Sequence, residues 1–301
     1  MRAVTYHRYG DPSVLTVEEV PEPHAGPGQI RIRVAAAGVN PIDWKLRAGY
    51  LHEMFPLQFP KVPGRDAAGV VDELGAGVTG IAVGDRVFGN SSEGTTAEYA
   101  LLYEWAPVPD PWTMEQAAAV GVAAETAIRV LNQLGVRAGS TLLVEGAAGG
   151  VGSTVVQLAV ARGATVIGTA SEGNHEFLRS LGAIPTAYGP GLADRVRALA
   201  PTRVDAVLDV AGAGSLPDLV KIAPSAADVV SIADPTAPQH GARLSIAPDD
   251  PTPDSLVEAA TLGAAGSYVP YVEASYPLDR IAEAHARSQA GHARGKLVIK
   301  I

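Results

Sequence analysis

The sequence predicts an α/β protein in which a doubly wound parallel sheet is joined to a β-rich lobe, and three observations predict it. Residues 141–169 set a glycine-rich turn between a strand-like run and a helical one. Strand-like and helical stretches then alternate from residue 141 to residue 232, the pattern of a parallel sheet with helices on both faces. Residues 1–122 instead read as short strands broken by glycine and proline.

Taken in order, Ile30, Ile32 and Val34 alternate with polar partners, and Ala68 to Val71 and Val83 to Phe88 are further strands of the first lobe. From Met114 to Leu134 the spacing turns helical, with Ala117, Val120, Ala124, Ala127, Ile128 and Leu131 as the apolar stripe and Gly135 as the stop. Thr141 to Val144 is a strand; Val151, Val155 and Leu158 recur at helical spacing up to Gly163; Thr165 to Thr169 is a second strand. Asn174 opens a helix that Gly182 closes, and Leu192 to Leu199 is helical. Val204 to Val210 is a buried parallel strand, Leu216 to Ile222 a helix and Asp228 to Ile232 a strand. Ser255 to Leu262 is a last helix of this lobe; Tyr268 to Val272, a helix from Leu278 to Gln289 and a strand from Lys296 to Ile301 complete the chain. The final strand is expected to rejoin the first lobe, giving residues 1–122 plus 267–301 as one domain and 123–266 as the other.

Composition narrows the function. At 301 residues the chain can bury a large core, and 47% hydrophobic with 18% charged residues is globular usage. A net charge of −9 and the lack of any polybasic run argue against nucleic acid or an anionic membrane as partner. No run approaches the length of a membrane span or a signal segment, so a soluble cytoplasmic protein is expected. With no cysteine, neither a redox thiol nor a thiolate zinc site can take part. His7, His24, His52, His175, His240, His285 and His292 show no ligand spacing, so no metal site is expected.

The corner between the first two strands of the second lobe carries Gly146, Gly149 and Gly152, with Ala147, Gly150 and Val151 among them. Glycines there permit a tight turn, close approach of a pyrophosphate to bare backbone, and close packing of helix on sheet. The helix N-terminus adds free N–H groups and a positive dipole end. The spacing G-x-x-G-x-x-G matches the dinucleotide fingerprint only in part, but strand, glycines, helix and second strand together point to a dinucleotide.

Several motifs resemble the zinc-independent quinone oxidoreductases of the medium-chain dehydrogenase/reductase superfamily. They are Ala37-Gly-Val-Asn-Pro-Ile-Asp43 with Arg47, Gly49 and Tyr50; Pro63-Gly-Arg-Asp-Ala-Ala-Gly-Val-Val71; Val83-Gly-Asp-Arg-Val-Phe88; Glu125-Thr126-Ala127; the Gly146–Gly152 turn; and Arg294-Gly-Lys-Leu-Val298. The resemblance implies a GroES-like β-barrel substrate lobe, a Rossmann-type cofactor domain, an active site in the cleft between them, and a homodimer. Zinc-dependent relatives place a cysteine where this chain has Asn40, and a histidine followed by an acid where it has Arg65 and Asp66. Without a Lewis acid, alcohol oxidation is hard, whereas a quinone or conjugated enone accepts hydride directly. The expected activity is NADPH-dependent reduction of such acceptors. An enoyl-thioester or polyketide-type enoyl reductase, or a nucleotide-binding regulatory protein without turnover, remains open.

By that resemblance Asn40 lies beside the nicotinamide with an amide to donate; as the residue before Pro41 it also reads as a turn former. Tyr50 is a candidate hydrogen-bond donor to the acceptor, or a half-buried structural tyrosine, and Trp44, His52 and Phe55 either line the pocket or pack under a loop. Thr126 is placed against the nicotinamide by resemblance, and otherwise is a helix hydroxyl bonded to its own backbone. NAD sites usually end the second strand with a carboxylate for the ribose hydroxyls, and here that position is Ala170. Ser171, Asn174 and His175 can instead surround a 2′-phosphate, and by the resemblance Tyr188 stands where the family often has a phosphate-contacting tyrosine, which favours NADP(H), although Glu172 is an adverse neighbour. Asp209, Val210, Ala211 and Gly212, then Ser231, Ile232 and Ala233, end later strands on the cofactor side, or are plain sheet core, particularly the apolar ones. Asp43 with Arg47, and Arg65 with Asp66, read as structural ion pairs. Segments 50–60 and 234–253 are expected to shape the mouth of the cleft.

Overall fold

The computed structural model describes residues 1–200, 202–246, 252 and 254–301. Of the segment 234–253, residues 247–251 and 253 lie outside the described residues. The chain divides into two compact units, Met1–Val122 with Leu256–Ile301, and Ala123–Ser255. Sequence spacing put the return to the first lobe at residue 267; here the helix Ser255–Ala264 lies almost wholly in the first unit. Its Gly263 abuts the ring of Trp112 so closely that a Cβ would stand 2.2 Å from the indole.

In the first unit the strand Ile30–Val39 is central. It pairs antiparallel with Asp66–Leu74, with Tyr99–Leu102 and with the last strand, Lys296–Lys300. The sheet runs Val272–Pro277, Lys296–Lys300, Ile30–Val39, Asp66–Leu74, Arg86–Asn90, Glu104–Pro107. The alternation of Ile30, Ile32 and Val34 puts all three on a buried face with Val71, Val87 and Leu102, each contributing about 1.5–3 kcal/mol relative to exposure. A second cluster joins Val4, Tyr6, Leu297 and Ile299 to Ile281 and Ala284 of the helix Ile281–Gln289.

Some boundaries differ from the sequence expectation. The single helix expected over Met114–Leu134 is two, Met114–Ala118 and Gly121–Gln133. The chain breaks there because Gly121 backs onto Asp66 and Asn90, where a Cβ would lie 2.7 Å from Asp66 Cβ and 2.4 Å from Asn90 Oδ1. The strand expected at Tyr268–Val272 begins only at Val272. A short helix, Pro41–Arg47, and two short strands, Ile184–Thr186 and Arg243–Leu244, had no distinct sequence signal.

The second unit holds a parallel sheet of six strands among the described residues, ordered Ile184–Thr186, Thr165–Thr169, Thr141–Glu145, Ala206–Asp209, Val229–Ser231, Arg243–Leu244. Counted along this unit the order is 3-2-1-4-5-6, the doubly wound arrangement of dinucleotide-binding proteins. Leu142, Leu143 and Val144 are wholly buried, as a strand covered on both faces requires. Among the described residues no helix is long and apolar enough to cross a membrane.

Candidate active site

In the second unit the strand order reverses between Thr141–Glu145 and Ala206–Asp209, and ligands of such sheets bind at the carboxyl ends of the strands at that switch point. Gly146 leaves the first of these strands with φ +81, against Val210 and Ala211 at the end of the second; a Cβ on Gly146 would stand 3.1 Å from both side chains. The helix Gly150–Ala161 follows with Gly149 as its N-cap, no capping side chain and no acidic residue in its first turn. Its first N–H groups therefore face outward from bare backbone. Gly152 is where helix and turn meet: a Cβ there would be 2.3 Å from Gly146 O and 2.8 Å from Ala147 Cα. Ala147 N donates to Thr169 O at 3.1 Å, tying the turn to the second strand.

Asp209 organises the far side of this crevice. Its Oδ1 accepts from the N–H groups of Ala211 and Gly212, each at 2.9 Å, and its Oδ2 from Ser231 Oγ at 2.8 Å. Ser231 Oγ in turn accepts from Ala233 N at 3.2 Å. One buried carboxylate thus fixes the 210–212 and 231–233 turns, with Ile232 N donating to Asp209 O at 3.0 Å. The sequence places Asp209 at the end of its strand on the cofactor side, and an acid closing an apolar strand ahead of Val-Ala-Gly is the signal for it.

At the end of the second strand, Ala170 N donates to Thr186 O, and Ser171, Asn174 and His175 gather at the start of the next helix. Asn174 Nδ2 donates to Ser171 Oγ at 3.2 Å, and His175 Nε2 lies 3.4 Å from Ala170 O. Tyr188 is exposed on a loop whose carbonyls, at residues 187–190, converge on the Arg195 guanidinium. These hydroxyl, amide and imidazole groups, with no carboxylate at Ala170, suit a phosphate monoester; the bare glycine turn suits a pyrophosphate. Thr126 Oγ1 does not bond its own backbone but donates to Glu125 Oε2 at 3.3 Å.

In the first unit, Val39 stands opposite Leu297, so the register carried one residue further sets Asn40 opposite Lys296. Lys296 Nζ donates to Asn40 Oδ1. Asn40 Nδ2 donates to Asp66 Oδ1 at 2.7 Å, and Lys296 Nζ lies 3.8 Å from Asp66 Oδ2, which also accepts from Val122 N at 3.0 Å. Gly38 makes room for that carboxylate, since a Cβ there would be 2.3 Å from Asp66 Oδ1. All three side chains are buried, Asn40 to 3% exposure and Lys296 to 6%. Asp43 Oδ2 accepts from Asn40 N at 2.7 Å, and burial pushes the Asp43 carboxyl up to about 7, with the Asp66 charge adding to the rise. Lys296 and Asp66 were not singled out as site residues from sequence. The signal was a lysine opening an otherwise apolar final strand.

Two expected ion pairs do not form. Asp43 turns to the Asn40 N–H, while the buried Arg47 donates Nη2 to Gln289 Oε1 at 2.8 Å on the neighbouring helix. Asp66 opens its strand facing inward to Asn40 and Lys296, while Arg65, in the bend just before the strand, is exposed. Tyr50 is 68% exposed, not half-buried, and meets Trp44 edge-on with ring centroids 5.8 Å apart. Phe55 is exposed on the same loop, whereas His52 has Nδ1 at 2.8 Å from Gly49 O and its ring beside Tyr9. Tyr50 and Phe55 give this loop an exposed aromatic character with a phenol to donate, while Trp44 sits half-buried on the preceding helix.

Residues 26–130 match the alcohol dehydrogenase GroES-like domain family, and residues 187–299 the family described as zinc-binding dehydrogenase. The chain is 33% identical over 316 residues to the 2-methylene-furan-3-one reductase of Solanum lycopersicum, and equally to an NADPH-dependent alkenal/one oxidoreductase of Arabidopsis thaliana, in both cases over 99% of this chain and 79% of the relative. The solved quinone oxidoreductase of Coxiella burnetii superposes with a TM-score of 0.87 at 31% identity, covering 100% of this chain and 99% of that one. Fold and site thus define an oxidoreductase with a GroES-like unit and a Rossmann-type unit. Within that class, the chain belongs to the quinone oxidoreductase family of the medium-chain dehydrogenase/reductase superfamily.

Proposed function

We propose that the protein is an NADPH-dependent reductase of quinones and α,β-unsaturated carbonyls that works without zinc. One observation carries this reading: where, by the family resemblance, zinc-dependent relatives hold a metal ligand, this chain holds the Asn40 amide, which accepts from Lys296 and donates to Asp66. The names of its relatives, an alkenal/one oxidoreductase and quinone oxidoreductases, support the acceptor class.

When bound, NADPH supplies a hydride, that is, two electrons and one proton equivalent. The residues of the chain then bind, orient and stabilise. Gly146, Ala147, Gly149, Gly150, Val151 and Gly152 receive the pyrophosphate on bare backbone N–H groups. Ser171, Asn174, His175 and Tyr188 receive the 2′-phosphate, and Thr126 with the 210–212 and 231–233 turns holds the remainder. Trp44, His52 and Phe55 enclose the acceptor. As hydride reaches an electron-poor carbon, charge moves to the conjugated oxygen, where the Asn40 N–H and the Tyr50 phenol stabilise it until solvent supplies the second proton. The first unit carries the substrate role and the second the nucleotide role, in a cytoplasmic homodimer; composition and family resemblance support that placement.

The test is titration with NADPH and NADH, followed by absorbance at the nicotinamide band with a small quinone and an enone. Tighter NADPH binding with turnover supports the proposal. Binding without turnover on any quinone or enone would point to the regulatory alternative.

A further inference from the structure

We propose that Lys296 and Asp66 are positioning residues that lock the Asn40 side chain in one amide orientation and polarise it, so that a buried ammonium stands in for the missing Lewis acid. The catalytic consequence rests on the reductase reading; the lock itself does not. An asparagine amide has two orientations that differ little in shape but interchange donor and acceptor. Here both ends are specified. The Lys296 ammonium has only hydrogens to offer and can meet only Oδ1; the Asp66 carboxylate has only acceptors and can meet only Nδ2. The flipped amide would set N–H against ammonium and carbonyl against carboxylate, both repulsive in a buried site. The Asp66 carboxylate is itself fixed by Val122 N at 3.0 Å and by its fit against Gly38.

The lock leaves Nδ2 with one hydrogen beyond the one given to Asp66. A cation on the amide oxygen withdraws electron density from the amide nitrogen, which makes that hydrogen a better donor to a developing oxyanion. Three consequences of the sequence follow from one arrangement: Asn40 at the metal-ligand position, a lysine opening the last apolar strand, and a glycine at position 38. A preorganised donor aimed at developing charge is the kind of group whose loss lowers kcat more than it changes ground-state binding.

The test uses the full-length protein with Lys296→Met, Asp66→Asn and Asn40→Ala. Asp66→Asn serves as a second, nearly isosteric probe. Its carbonyl must stay with Val122 N–H, so its amide group faces the Asn40 amide donor to donor and removes the acceptor that holds Nδ2. The Asn40 side-chain amide pair, assigned in the proton–nitrogen NMR spectrum by its absence from Asn40→Ala, is expected to be protected from solvent exchange in the wild type. Protection should be lost in both other variants. In quinone reduction, Lys296→Met should lower kcat about tenfold or more with NADPH affinity unchanged, yet change the rate less than about twofold in the Asn40→Ala background. An Asn40 pair equally protected in Lys296→Met, or a Lys296→Met penalty that persists in full without Asn40, would overturn the proposal. A wild type that turns over no quinone or enone, while Lys296→Met still abolishes the protection, would uphold the lock and defeat the reductase reading instead.

Discussion

Lys296 and Asn40, 256 residues apart in the chain, meet as donor and acceptor inside one sheet, because the last strand pairs with Ile30–Val39 one residue short of Asn40. The amide so held has a carboxylate at its other end, at 2.7 Å. Removing it should therefore affect chemistry more than nucleotide binding. Asn40→Ala is expected to lower kcat by roughly 10²–10³, the range for loss of one preorganised oxyanion donor. NADPH affinity, measured by calorimetry, should stay within about twofold.

Close packing at the glycine turn gives a second expectation. A methyl at Gly152 meets backbone atoms of Gly146 and Ala147 at 2.3–2.9 Å, and backbone cannot swing aside as a side-chain tip can. Gly152→Ala should cost about 1–3 kcal/mol of stability. It should also weaken NADPH binding by about tenfold or more, as read by thermal melts with and without nucleotide.

Nucleotide choice turns on the absence of a carboxylate after Thr169. Ala170→Asp places one there, repelling a 2′-phosphate while offering an acceptor to ribose hydroxyls. The ratio of NADPH to NADH affinity should fall about tenfold or more, checked by parallel titrations. An unchanged ratio would remove Ser171, Asn174 and His175 from the phosphate site.

His285 is buried in the helix Ile281–Gln289, and burial, with the nearby Arg47 charge, holds its imidazole down to about 3. The folded state thus refuses a proton that the unfolded chain accepts below about 6.5. Stability from this group is full above about pH 6.5 and is lost as pH falls toward 3, by about 2 kcal/mol at pH 5. Denaturant melts of His285→Gln should lack that acid-side loss.

Asp43 has the opposite sign. Its folded carboxyl, raised to about 7, binds a proton more tightly than the unfolded group near 3.9. Its contribution is present below about pH 4 and is lost as pH rises through 7. Asp43→Asn keeps an acceptor for the Asn40 N–H and carries no charge, so it should gain stability over the wild type as pH rises from 4 to 7, by a few kcal/mol at most. The two groups oppose each other between about pH 4 and 6.5, so Asp43→Asn should also steepen the wild-type acid-side loss.

The second unit was largely legible in the sequence because parallel strands buried on both faces are continuous apolar runs, and glycines mark the ends of strand and helix. Leu142 to Val144, Gly146 and Gly163 are examples. Short edge strands such as Arg243–Leu244 were not, since two residues carry no period. In the first unit, the alternation of Ile30, Ile32 and Val34 was readable, but the break at Ala119–Val120 was not: what causes it is Asp66 and Asn90, remote in the chain. The same holds for the site. Asn40 could be singled out from its motif. Its partners, Asp66 and Lys296, become visible only once strand register brings three distant segments together. The Asp43–Arg47 pair failed because spacing of four shows reach and says nothing of the competing partners, Asn40 N and Gln289.

The measurement that tests the central claim most directly is transfer of label from NADPH dideuterated at C4 of the nicotinamide to a simple enone, with the product read by mass spectrometry and NMR. One deuterium at the β-carbon of the saturated ketone is the expected result, and it requires direct hydride delivery to a conjugated acceptor. Consumption of the nucleotide with no deuterium in the product, or tight binding with no consumption at all, would contradict it.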